Sequence, residues 1–185
     1  MQRENILKIF IKGFGFAFFG NILGGIMTIS LAPFISEWFV SYIALLFSVF
    51  IYLSLMFTAG LKDGQREKIL LRNKRVEKCP KYRWLILGTI IGALMCVPAL
   101  ILLLGVMGVM GLSGEYLFAF RFLSGATYPL MHIAEAHNVA VTEIPLWYPV
   151  ASMAIYFLLS PVAAQLGYKF GYDEKKLQDY MYEKQ

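Results

Sequence analysis

Four runs of more than twenty residues without Asp, Glu, Lys or Arg dominate this 185-residue chain. A helix rises about 1.5 Å per residue and the bilayer core is about 30 Å thick, so each run can cross a membrane. A soluble domain of this length could not bury four such helices. The sequence therefore predicts an all-α, polytopic membrane protein, a single domain over 1–185 with transmembrane helices at about 13–36, 38–61, 84–114 and 146–168.

The basic residues lie almost entirely on one side of the predicted membrane. Sixteen of the seventeen Lys and Arg residues fall before the first run, within 62–83 or after residue 168, and Arg121 is the exception. The positive-inside rule then places both termini, a loop at 62–83 and a tail at 169–185 in the cytoplasm, and the 115–145 segment outside. Trp38 and Trp84 each begin a run and Trp147 is the second residue of one, as expected of an aromatic belt at the membrane interface.

A cleavable signal peptide is the alternative interpretation of the N-terminus, with cleavage after Ala32. The first apolar run is longer than the usual 7–15 residues of a signal-peptide core, so an uncleaved first span is predicted. Cys79 and Cys96 fall in the loop and in the third span, which predicts no disulfide.

The net charge of +5 comes from the predicted cytoplasmic face. Bases beside membrane spans fix orientation and attract anionic lipid, so the 62–83 loop is predicted to contact such lipid and no nucleic acid is expected. Residues 65–78 lack Gly and Pro and predict a short surface helix, which either docks on lipid or a partner or remains a solvated loop.

Small residues at helical spacing predict close packing between helices. Gly20 and Gly24 in the first span, and Gly88 and Gly92 in the third, form GxxxG patterns. Such patterns let helix backbones approach closely. They predict that helices 1 and 3 are a close-packed pair or else supply the contact of a homo-oligomer or membrane-protein partner. Pro98 and Pro161 predict kinks in the third and fourth spans.

The 115–145 segment is predicted to form an external cap between the third and fourth spans. Residues 116–123 are apolar apart from Arg121. They are too short to span, which indicates an interfacial helix or a re-entrant turn. Ligand sites that open to the external side are expected beneath this cap, between the kinked ends of those spans, because prolines free backbone carbonyls there.

Candidate site residues are few. Asn21 predicts either an interhelical hydrogen bond or a place on a substrate path, and Gln165 lies near Pro161. Arg121, His132, Glu135 and His137 supply titratable groups outside. His132 and Glu135 share a helical face, but His137 lies about 200° round from Glu135, so the three do not converge on one ideal helix. They are weak zinc or copper candidates, and no metal or cofactor is predicted.

One resemblance adds to this interpretation. The Gly-Leu-Lys-Asp-Gly sequence at 60–64, the proline in the third span and Gly-Tyr-Lys-Phe-Gly-Tyr at 167–172 resemble small uncharacterised multi-pass proteins of bacterial inner membranes. The resemblance covers about 60–185 and implies a multi-pass topology in the inner (cell) membrane, without an activity.

Three classes of function remain open. A non-enzymatic accessory, assembly or immunity-type membrane protein fits the glycine patterns and the absence of charged groups inside the spans. A transporter subunit or oligomeric channel fits the prolines and the polar residues within the spans. A membrane enzyme or metal site would use the external His and Glu residues.

Overall fold

The protein is all-helical in the residues that the computed structural model describes, which are 5–31, 34, 38–75, 80–112, 114–134 and 140–173. Four helices there are long and apolar enough to cross a membrane: Ile6–Leu31, Phe39–Arg72, Arg83–Val106 and Trp147–Asp173. The prediction of an all-α chain with four helices of spanning length is confirmed.

These four stretches contain six of the eight α-helices in the described part of the chain. In chain order the α-helices are α1 (Ile6–Leu31), α2 (Trp38–Arg72), α3 (Arg83–Met95), α4 (Val97–Val106), α5 (Gly114–Leu123), α6 (Pro129–Ile133), α7 (Trp147–Ala154) and α8 (Ser160–Asp173). A 3₁₀ turn at Val141–Glu143 precedes α7, and a π-helical turn at Ile155–Leu159 joins α7 to α8.

Two helix ends differ from the prediction. α2 continues past the second apolar run to Arg72, so the expected surface helix within the 62–83 loop is the last part of α2 as far as the structure describes it. Its Lys, Gln, Arg, Glu and Leu residues are all good helix formers. The third span ends at Val106 instead of near residue 114, and Gly108 follows with a positive φ. That left-handed conformation commonly ends a helix.

The third and fourth spans are both interrupted near their prolines. The third divides at Cys96, and Pro98 lies in the first turn of α4, where its missing N–H costs no helical bond. The fourth passes through the π-helical turn immediately before Pro161, which cannot donate to the carbonyl one turn earlier. The two interruptions meet, because the thiol of Cys96 donates to the carbonyl of Met153 at 3.3 Å.

α2 and α8 form a parallel pair whose backbones approach very closely. A Cβ atom added at Gly60 would lie 2.1 Å from the carbonyl oxygen of Ala164, and one added at Gly167 would lie 2.0 Å from that of Phe57. One turn further on, Gly64 and Gly171 make the same kind of approach. Only glycine allows these distances, so a GxxxG pattern on each helix builds this glycine seam.

The seam is symmetric, with Gly167 corresponding to Gly60 and Gly171 to Gly64. A Cβ at Gly64 would meet the carbonyl of Tyr168 at 2.2 Å, and one at Gly171 would meet the carbonyl of Leu61 at 2.2 Å. Leu61 and Tyr168 correspond under the same shift in numbering as the glycines. We call α1 and α2 the first half and α3 to α8 the second half. The two halves therefore meet across a local pseudo-two-fold axis.

The four glycines expected to join helices 1 and 3 instead face other elements. Gly20 lies against Tyr52 of α2, and Gly24 lies against Ala126, between α5 and α6. Gly88 and Gly92 of α3 lie against the fourth span, at Pro161 and Tyr156. All four are close-packing positions, but the pairing of helices 1 and 3 through them is not what the structure shows. The spacing of glycines identifies a small face without identifying its partner.

The segment between the third and fourth spans packs deep into the bundle. α5 contacts α1, and α6 contacts α2. All eight residues at 124–131 are buried, and a Cβ added at Gly125 would lie 2.0 Å from the carbonyl oxygen of Asn21, in the middle of α1. We call residues 124–131 the buried turn.

Candidate functional site

A buried ionic cluster lies at the basic end of the bundle, where α1 and α3 begin and α2 and α8 end. Nη1 of Arg83 donates to Oε1 of Glu67 at 2.6 Å and lies 3.8 Å from Oδ2 of Asp63. Nε1 of Trp84 donates to that same Asp63 oxygen at 2.8 Å. These four residues, the end cluster, are between 1% and 8% exposed.

The end cluster follows from helical geometry. Asp63 and Glu67 are four residues apart and so share one face of α2, while Arg83 and Trp84 are the first two residues of α3. The cluster thus attaches the start of α3 to the end of α2. Nε and Nη2 of Arg83 are also buried and find no acceptor among the described residues. Loss of Arg83 or Glu67, the pair at 2.6 Å, would leave the other charge buried without its close partner, which commonly costs about 3–5 kcal/mol.

A cavity of about 410 Å³ opens beside the end cluster, between α1 and α2. Its apolar wall includes Ile9, Phe16 and Ala59, and its basic residues are Lys12, Lys62 and Arg66. Nζ of Lys62 lies 5.2 Å from the centre of the Phe16 ring, a cation–π distance. We call this cavity the basic cleft.

The electrostatics of the basic cleft favour an anion. Among its described lining residues, three cations face one carboxylate, that of Asp63, which already accepts a bond from Trp84 and lies near Arg83. An excess of positive charge over an apolar wall is the environment in which Lys and Arg bind phosphate or carboxylate groups. The cleft can therefore hold an anionic group attached to an apolar body.

A second cavity of about 390 Å³ lies at the same end, between the start of α3 and the end of α8. Lys81, Lys169, Tyr168, Tyr172 and Asp173 line it. We call this cavity the tyrosine cleft.

Asn21 is the centre of a second polar group, deep among the helices. Its Oδ1 accepts hydrogen bonds from the backbone N–H of Ala126 at 3.1 Å and from the hydroxyl of Tyr156 at 2.5 Å. Its Nδ2 donates to the carbonyl of Ala17 and to Sδ of Met95, each at 3.4 Å. The interhelical hydrogen bonds that were one interpretation of Asn21 are thus present. We call Asn21 and its partners the core cluster.

Neighbouring hydroxyls extend the core cluster to α2 and α8. The hydroxyl of Tyr52 is 2.8 Å from Oγ of Ser160, and its ring meets that of Tyr156 edge to face with centroids 5.2 Å apart. Ser48 donates to the carbonyl of Ala126 at 2.9 Å. These side chains are neutral and fully buried, and their hydrogen bonds hold helices and the buried turn together.

Gln165 caps a helix. Its Oε1 accepts a hydrogen bond from the backbone N–H of Leu85 at 2.9 Å, and its Nε2 donates to the carbonyl of Lys81 at 2.8 Å. Because the first N–H groups of a helix lack partners within it, this contact completes the start of α3. Gln165 also lines the tyrosine cleft, so its role as a ligand contact stays a prediction.

Arg121 and His132, two of the expected external site residues, meet at one tyrosine. The guanidinium of Arg121 lies 5.4 Å from the centre of the Tyr128 ring, and the His132 ring packs against it edge to face at 5.3 Å. Glu135 and His137 lie outside the described residues. Among the residues that are described, no three of His, Cys, Asp and Glu are grouped to hold a metal ion.

Protein groups engage backbone carbonyls at both interrupted spans. The hydroxyl of Tyr116 on α5 donates to the carbonyl of Pro98, and the thiol of Cys96 donates to the carbonyl of Met153. Burial raises the pKa of Tyr116 to about 12, so its hydroxyl remains a donor at physiological pH.

The end cluster and both clefts were missed by the sequence analysis. The charges after residue 61 were expected on a surface helix or in a solvated loop, and Trp84 was expected at the membrane interface, whereas the Trp84 side chain is 1% exposed. Trp147 is 47% exposed, and the Trp38 side chain lies outside the described residues. Two carboxylates spaced i, i+4 directly after a span were the available signal for a buried pair.

Comparison of the chain with models of protein families, with curated proteins and with solved structures gave no match.

Proposed function

We propose that this protein is a non-enzymatic, accessory-type membrane protein that binds the phosphate group of an anionic lipid in its basic cleft. The observation that carries this proposal is the position of Lys12, Lys62 and Arg66 around a cavity with an apolar wall. The cleft lies at the ends of two helices of spanning length, where lipid headgroups would meet the protein.

The chemistry of the cleft suits a headgroup. Lys12 on α1 and Lys62 on α2 approach the cavity from opposite sides, and each presents three N–H donors. Bases beside a membrane attract anionic lipid with about 1 kcal/mol each. The apolar wall gives the glycerol and upper acyl chain of the lipid a surface to contact.

Melting of the purified protein in neutral detergent tests this function. A ligand that binds only the folded state raises the Tm. We expect phosphatidylglycerol to raise the Tm more than phosphatidylcholine does, and we expect Lys12→Met with Lys62→Met to reduce this difference. Lys8→Met is the matched control, because Lys8 is exposed on α1 and does not line the cleft. Equal effects of the two lipids on the wild-type protein would refute the proposal.

The proposal includes an orientation. The charge asymmetry supports a multi-pass protein of a bacterial inner membrane with the basic end in the cytoplasm, the buried turn entering from the outside and α5 and α6 forming a re-entrant cap. In a variant without Cys79 and Cys96, a cysteine at Ile69 should resist a membrane-impermeant thiol reagent in whole cells, and one at Thr142 should react. Both positions are exposed on the protein, so burial does not confuse the result. The reverse labelling pattern would overturn this orientation.

A transporter subunit or oligomeric channel is the second candidate. The observation that favours it is the π-helical turn at Ile155–Leu159, because such turns are frequent at functional sites. Potassium efflux from liposomes that contain the protein tests it. Efflux no faster than from protein-free liposomes would count against a channel for this ion.

A further inference from the structure

The two halves of the chain repeat one short pattern. Residues 60–68 and 167–175 both read Gly-x-Lys-x-Gly-x-x-Glu-Lys. The repeated glycines are the four that build the glycine seam. Gly60 lies against the carbonyl of Ala164, and its counterpart Gly167 lies against the carbonyl of Phe57, the residue that corresponds to Ala164. The glycines of the pattern are therefore equivalent in space as well as in sequence.

This equivalence relates the two clefts. The basic cleft lies between the start of α1 and the end of α2, and the tyrosine cleft lies between the start of α3 and the end of α8. Lys62 and Lys169, the first lysine of the pattern in each half and called the repeated lysines below, each line the cavity of their own half. The cavities also have similar volumes, about 410 and 390 Å³.

The second cleft keeps an anion-binding character with a smaller charge. Among the described residues that line the cavity, Lys81 and Lys169 supply two cations against the carboxylate of Asp173, beside Tyr168 and Tyr172. The backbone of Lys81 is held in place, because its carbonyl accepts the bond from Gln165. One excess positive charge matches the single negative charge of a phosphodiester.

We propose that the tyrosine cleft is a second phosphodiester site, so that the protein holds two anionic lipid headgroups, one in each half. This inference rests on the proposed function of the basic cleft. The three cations of the basic cleft make its site the tighter one, and the lone charge excess of the tyrosine cleft makes its site the weaker one.

Counting bound lipids by native mass spectrometry tests the inference. The full-length protein in neutral detergent is mixed with phosphatidylglycerol or, in a parallel sample, with phosphatidylcholine. We expect the wild-type protein to retain two more molecules of phosphatidylglycerol than of phosphatidylcholine. Lys81→Met with Lys169→Met should retain one, Lys12→Met with Lys62→Met should also retain one, and Lys8→Met should retain two. Methionine keeps the apolar stem of each lysine, and an unchanged Tm in the absence of lipid verifies folding.

The outcomes separate this inference from the proposed function. A single bound lipid on the wild-type protein, or two on the Lys81 and Lys169 double variant, overturns the second site and leaves the first. No preference for phosphatidylglycerol over phosphatidylcholine overturns both. Excess inorganic phosphate distinguishes the source of the ligand: displacement of both lipids assigns the sites to phosphate itself, and retention assigns them to the whole lipid. Either result with two sites supports the inference.

Discussion

The two halves of the molecule share the close backbone contact of the glycine seam and differ in the side chains and connections around it. Both place a glycine pair on the glycine seam and a lysine beside a cleft. The first half joins its helices through residues 32–37, whereas the second joins its two spans through 107–146, which includes the buried turn. The difference shows that the seam requires only glycine, while the site chemistry depends on the residues between the glycines.

The position after the repeated lysine shows this divergence. Asp63 in the first half is 8% exposed and accepts a bond from Trp84. Its equivalent in the second half is Phe170, which is 52% exposed and packs near Phe57, with ring centroids 5.9 Å apart. Arg83 and Trp84 belong to the second half, so the end cluster joins the two halves at one asymmetric position.

Substitutions in the glycine seam, which the two halves share, should have the largest effect on stability. Gly60→Ala and Gly167→Ala should each destabilise the protein by about 3 kcal/mol, because each new Cβ meets a backbone carbonyl that cannot move without separating the helices. Gly15→Ala is the control, since open space surrounds that position. Thermal unfolding in detergent measures all three. A large loss for only one of the two seam glycines would contradict the symmetry.

The next effect concerns the buried turn, which only the second half contains but which the first half anchors. Asn21→Leu should cost about 2–3 kcal/mol, since the N–H of Ala126 and the hydroxyl of Tyr156 lose their acceptor. Ser30→Ala should cost little, because Ser30 is exposed and bonds within α1. Hydrogen exchange at 124–131 should accelerate in the Asn21 variant alone. Unchanged exchange there would mean that Asn21 does not hold the turn.

Substitutions at Asp63 and Phe170, the two different residues that follow the repeated lysines, should have a smaller effect on stability. Asp63→Ala leaves the buried indole N–H of Trp84 without its acceptor. The loss of this hydrogen bond should cost about 1.5 kcal/mol. Phe170→Ala, its equivalent in the second half, should cost less because that ring is half exposed. Chemical denaturation of both variants provides the comparison. Equal losses would show that the end cluster adds nothing beyond the shared packing.

The smallest effect tests the start of the second half. Gln165→Ala should cost about 1 kcal/mol by removing the acceptor of the Leu85 N–H and the donor to the Lys81 carbonyl. Thr89→Ala, which loses a bond to its own helix, is the control. Melting temperatures rank the two variants. A greater loss for Thr89→Ala would show that Gln165 does not stabilise α3.

Sequence reasoning recovered the elements better than their contacts. The four spans and the interruptions near Pro98 and Pro161 followed from hydropathy and proline chemistry. The partners of Gly20 and Gly92 did not, because a GxxxG pattern defines a small face and leaves its neighbour open. The burial of Asp63 and Glu67 could not be predicted for the same reason, because a run of charged residues is expected to be solvated unless another helix is known to cover it.

The sequence by itself determined the length, apolarity and charge of each span, because these properties depend on one segment at a time and on the thickness of a bilayer. The tertiary structure alone decided which faces meet. Successive residues on a helix point about 100° apart, so a small rotation of α2 would expose Asp63 and open the glycine seam. The end cluster, the core cluster and the two clefts exist only because the helices settle in one rotation and register, where four glycines let α2 and α8 approach.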